Sequence, residues 1–207
     1  MRLLLLPLAA AVLLAIPATA TAQTDEPTFD AMRAATEKYA DAEAALADGY
    51  IPDPTGMCVD ATMVGLAEEV GGMGIHYFRP DRFQITAMEP RVDGTGTHTD
   101  FLQPGILLYE PQADGSLVLV GIENLVFEEA WQAGHEGPPV LHGQEWERMA
   151  NDPETEMDEA HGFTPHYDQH VWLFRENPAG ALQPFNPAVT CEHAGHGDPG
   201  MGAEAGS

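Results

Sequence analysis

The chain carries 33 acidic residues against 8 Lys and Arg in 207 positions, a formal net charge of −25. That balance repels phosphate backbones and anionic lipid, so neither nucleic acid nor a membrane surface is expected as a partner. Ser116 and Ser207 are the only serines and Lys38 the only lysine, which removes a G-x-S-x-G nucleophile, Schiff-base chemistry and a P-loop.

The first 22 residues read as a secretory signal: Arg2, an apolar run over Leu3–Ile16, then small residues ending at Ala22 with A-x-A spacing. The run is shorter than the roughly 20 residues a membrane span needs. Export to the periplasm or the extracellular space is expected. A single domain over 23–191 and a disordered tail over 192–207 follow. In an oxidising compartment Cys58 and Cys191 are expected to form a disulfide. Closing so long a loop contributes about 4–5 kcal/mol in the chain-entropy picture.

Phe29, Met32, Ala35, Tyr39, Ala42 and Leu46 recur at helical spacing. They predict one amphipathic helix over 29–48, with Asp30 as its cap and Gly49 as its C′ residue. A loop carrying Cys58 and a short helical turn near 61–70 lead to a glycine-led strand, Gly71–Phe78. Gly71-Gly72-Met73-Gly74 lacks the helix and lysine of a phosphate loop. Strands over 106–110 and 117–127 flank Asp114-Gly115, a strong hairpin signal. Loops with a short helix follow over 128–165, then a strand from His166 to Phe174 and turns at Asn177-Pro178 and Asn186-Pro187. The expected fold class is α+β, an N-terminal amphipathic helix packed on a curved antiparallel sheet with one disulfide.

Candidate chemistry gathers on the strands. Along 166–174, strand alternation puts His166, Asp168, His170, Trp172 and Phe174 on one face, as a pocket wall would. With a two-residue hairpin turn, Glu110 faces Leu119 and Glu123 faces Ile106, and both carboxylates share a face; a three-residue turn with a bulge separates them. Glu123 sits inside the apolar run Leu119–Val126, where a carboxylate without a partner is costly to bury. His76, Glu110, Glu123 and His170 are therefore the candidate metal ligands, a mixed nitrogen and oxygen set suited to one Zn, Mn, Fe or Cu ion. Tyr77 and Trp172 are candidate walls for a small-molecule ligand.

Two alternatives use the same residues. One is a metal-free isomerase or lyase with His170 and Glu123 as acid and base. The other is an interaction protein whose His/Glu cluster is only structural. His166 and Asp168 are expected at the rim of the site. His142 and Glu145 lack the H-E-x-x-H spacing of zinc proteases. Asp152, Glu154, Glu156 and Asp158 alternate like calcium ligands, but Met157 and Phe163 stand where an EF-hand needs Gly and Glu. Cys191, His193, His196 and Met201 offer a weak copper site, against which the glycine-rich stretch reads better as a solvated tail.

Three segments resemble a group of secreted bacterial proteins with no established activity. They are Gly72-Met73-Gly74-Ile75-His76-Tyr77, then Leu107-Leu108-Tyr109-Glu110-Pro111 with Leu119-Val120-Gly121-Ile122-Glu123. The third runs from His170-Val171-Trp172-Leu173-Phe174 through Asn177-Pro178, Gly180 and Asn186-Pro187 to Cys191. The resemblance implies that His76, Glu110, Glu123 and His170 belong to a recurring pattern and that His142 is a local departure. It implies no activity.

Overall fold

The computed structural model describes residues 26–155 and 157–195. The expected signal segment over 1–22 and the tail residues His196 and Met201 lie outside them. Among the described residues no helix is long and apolar enough to cross a membrane.

The strands in chain order are β1 (Ile51–Pro52), β2 (Cys58–Asp60), β3 (Gly72–Phe78), β4 (Ile85–Ala87), β5 (Asp93–Gly94), β6 (Ile106–Pro111), β7 (Leu117–Phe127), β8 (Val140–Leu141), β9 (Gln144–Glu145), β10 (Glu147–Met149) and β11 (His166–Val171). Seven of them form one antiparallel sheet in the order β1-β3-β6-β7-β11-β10, with β2 also pairing with β3. The other four make two small ribbons, β4-β5 and β8-β9. The sheet is not strongly curled, in contrast to the curved sheet the sequence suggested.

The N-terminal segment is not one helix. It breaks into α1 (Phe29–Thr36), a tighter turn over Glu37–Ala40, and α2 (Ala42–Ala47). Thr28, not Asp30, caps α1 by accepting from the Ala31 amide, and Asp41 caps α2 by accepting from Glu43. Two cap residues inside one periodic stretch give the backbone two helix starts, which periodicity alone hides. Gly49 ends the segment in a left-handed conformation, φ 88°. Two further short helices are α3 (Pro80–Phe83) and α4 (Glu128–Gln132).

The sheet has two unlike faces. On one, Tyr77, Leu107, Tyr109, Ile122, Val126 and Val171 pack with Met32, Tyr39 and Ala45 of the N-terminal segment. On the other, Ile106, Leu108, Val120, Leu125 and Phe127 meet Phe83, Phe163, Trp172 and Val189, which come largely from loops. Cys58 and Cys191 are bonded, joining β2 to the C-terminal segment across 133 residues. At Gly74 (φ 94°) a Cβ would lie 2.5 Å from the Tyr109 carbonyl oxygen, so β3 and β6 can pair this closely only with glycine there.

The hairpin register is set by two departures that cancel. Gln112 donates to Ser116 across a three-residue loop, so Glu110 faces Val118 instead of Leu119. Val120 is then an extra residue in β7, and from Leu108↔Gly121 onward the ladder returns to Ile106↔Glu123. The bulged Val120 carbonyl accepts from both Phe174 and Arg175.

Candidate metal centre

Three adjacent ladders bring the site together. Glu123 on β7 lies directly opposite His170 on β11 and, on its other side, opposite Ile106 on β6. His76 on β3 reaches over β6 from its place opposite Leu108. Strand alternation turns all three side chains to the loop-covered face. Each of the three is buried.

Their ligand atoms lie within 4.8 Å of one another. His76 Nε2 and His170 Nε2 each stand 3.3 Å from the same oxygen, Glu123 Oε2. Neither contact has hydrogen-bond alignment, so Glu123 Oε2 and His170 Nε2 are buried without a partner among the described residues. A buried carboxylate oxygen left in this state is expensive. Two donors about 2.0–2.1 Å from a tetrahedral ion stand roughly 3.3 Å apart, so the observed spacing is that of a coordination edge.

The electrostatics are those of a tightly coupled group. Burial would push the Glu123 carboxyl up, but the His170 and His76 imidazoles outweigh it and hold it down to about 2. Burial opposes a charge on His76, yet the Glu123 carboxylate prevails and raises it. Trp172 stacks on His170 with ring centroids 6.2 Å apart, and Phe78 stacks on His76 at 6.0 Å. Flanking rings of this kind restrict the imidazoles' orientation.

Beside the cluster is a cavity of about 30 Å³, lined by all three residues together with His161, His166, Asp168 and Asp53. His166 and Asp168 were expected at an exposed rim. Both are instead buried, because β10 extends the sheet beyond β11 and the 161–165 segment folds over its start. His166 Nδ1 bonds the Thr164 carbonyl, and its Nε2 is 3.6 Å from Asp168 Oδ2.

Glu110 does not join the cluster. It lies on the same face, but four residues along β6 from Ile106 is about 13 Å at a strand's rise per residue. Its carboxylate accepts from the Thr190 amide at 3.0 Å and pairs with Arg175, fastening the C-terminal segment next to Cys191. The two expected walls also move. Tyr77 follows His76 and so faces the helix-covered side, where it packs on Tyr109. Trp172 lines neither the small cavity nor the larger one beside it; its indole nitrogen donates to the Gln183 carbonyl and its ring backs His170.

His142 is outside the site, taking positive φ in a ribbon turn and holding Glu26. Asp158 pairs with Arg91, and Asp152 caps a local turn. Sequence reasoning passed over His161 and Asp53, which sit in irregular segments without periodicity. His161 has φ 50° and a buried Nε2 with no partner among the described residues. Burial, then the nearby His76, lowers its pKa.

Comparison with protein-family models, with curated proteins and with solved structures finds no match.

Proposed function

We propose that this is an exported protein that holds one divalent transition-metal ion through His76, Glu123 and His170. The observation that carries the reading is the convergence of two imidazole nitrogens on one buried, unpartnered carboxylate oxygen. A metal-free acid–base pair would be expected to show imidazole and carboxylate in hydrogen-bond alignment, and a structural network would be expected to satisfy its members. Two nitrogens and one oxygen suit Zn, Mn, Fe or Cu, and three protein ligands leave a position for an exogenous group. The disulfide, the signal-like N-terminus and the resemblance to secreted bacterial proteins support a place outside the cytoplasm.

Elemental analysis of protein purified without an affinity tag, before and after loading with each metal, tests the reading. One ion per chain is expected, lost in His170→Ala and in Glu123→Gln. Substoichiometric metal indifferent to both substitutions would overturn it.

A further inference from the structure

A second, much larger cavity adjoins the metal cluster. Its volume is about 520 Å³, within the range of small-molecule sites. Apolar side chains from separate parts of the chain line it, among them Val59, Phe78, Phe83, Ile85 and Phe163. Met57, Met63 and Met88 stand at its mouth, each more than a third exposed. Methionine is the side chain that adapts most readily to ligands of varied shape.

The large cavity and the 30 Å³ cavity of the cluster share Asp53, Val59, Phe78, His161 and Phe163 as common walls. His161 therefore lines both, and its Nε2 is buried without a partner among the described residues. Among the described residues, neither cavity has a Lys or Arg in its lining. The charged residues of the large one are Asp53 and Asp158, the latter neutralised by Arg91 at 2.8 Å. Short of the ion itself, a carboxylate or phosphate ligand would find no counter-charge along this wall and would meet a negative one.

We propose that the large cavity binds an uncharged, mainly apolar small molecule bearing one oxygen donor, a ketone or alcohol, whose oxygen passes His161 to reach the ion. This rests on the metal reading for the oxygen's destination and stands apart from it for the apolar body. The apolar walls supply affinity, and the ion with His161 selects the oxygen-bearing molecule over the hydrocarbon.

The test uses the signal-free chain, loaded with Co(II) or left metal-free, and the neutral fluorophore N-phenylnaphthylamine. Saturable one-to-one binding is expected in both forms. Met57→Glu combined with Met88→Glu, both at exposed positions, should weaken it by about tenfold or more by placing charge at the apolar mouth. Methyl nonyl ketone should displace the fluorophore from the Co(II) form about tenfold better than undecane, an advantage absent from His170→Ala, and should shift the Co(II) absorption bands. Against the metal-free form undecanoate should compete poorly. Fluorophore binding indifferent to the mouth charges, or undecanoate competing as well as the ketone for the metal-free form, would overturn the proposal. So would Co(II) bands unmoved by the ketone while it displaces the fluorophore. Failure of the chain to take up Co(II) would instead sink the metal reading and the oxygen's destination with it, while the fluorophore and mouth variants still decide the pocket.

Discussion

The two faces of the sheet follow different rules. The helix-covered face is built from Tyr109, Ile122, Val126 and Val171 against Met32 and Tyr39; Tyr109 Oη donates to the Tyr39 carbonyl, while the Trp146 indole nitrogen of the same cluster is buried without a partner among the described residues. The loop-covered face buries His76, Glu123, Asp168 and His170 in the same sheet, and the Glu123 carboxylate oxygen and His170 Nε2, 3.3 Å apart, have no hydrogen-bond partner among the described residues. One face leaves a lone indole nitrogen among apolar side chains. The other gathers titratable groups, and burying a carboxylate costs far more than burying an indole, so the second face is the one that marks a functional site.

The widest separation between the faces should appear in metal affinity. Glu123→Gln keeps the shape of the side chain but removes the anionic ligand, and should weaken binding by about a hundredfold or more in isothermal titration. On the other face, Ile122→Ala should cost about 2–5 kcal/mol in urea unfolding while the folded fraction keeps its metal stoichiometry. Metal lost along with stability in Ile122→Ala at conditions where it stays folded would erase the distinction.

Replacing the whole cluster reverses the usual direction of core mutations. His76→Leu with Glu123→Leu and His170→Leu should leave the metal-free protein as stable as before, or more stable by about 1–4 kcal/mol, because three costly buried polar groups are removed together. A large loss would mean that the cluster holds the fold together.

The acidity dependence of the metal-free protein is a finer probe. Glu123 is lowered from 4.5 to about 2, so its contribution to stability is present above pH 4.5 and lost as pH falls toward 2. His76 is raised above 6.5, so its contribution is present below pH 6.5 and lost as pH rises through the raised value. Metal-free protein should therefore gain most from the pair between pH 4.5 and 6.5. Added metal needs unprotonated imidazoles and should stabilise more as pH rises above that window. Thermal midpoints across pH, with and without metal, check both signs. The smallest effect should be Trp172→Phe, which loses the bond to the Gln183 carbonyl and should cost about 0.5–1.5 kcal/mol with a few-fold loss of metal affinity.

Much of the polar face was legible before any coordinates. His76, Glu123 and His170 stand out as polar residues in apolar strands, and the strand bounds of β3 and β7 follow from their hydrophobic runs. Glu110 shows where such reading stops. Alternation assigns a residue to a face, but only pairing distances say which residues of that face can meet. His161 shows a second limit, because a loop residue at positive φ carries no period and is brought to the cluster by the fold alone.

Local chemistry, then, determined the acidic character, the cysteine pairing, the strand alternation and the three converging side chains, since each depends on residue type and near-neighbour spacing. Tertiary structure decided the rest. It offset a three-residue turn with the Val120 bulge so that Glu123 meets Ile106 and His170. It sent Glu110 to Arg175 and set an apolar chamber against the cluster through His161. Those outcomes depend on which strands are neighbours and what the loops cover, and contacts across dozens of residues leave no periodic trace in the chain.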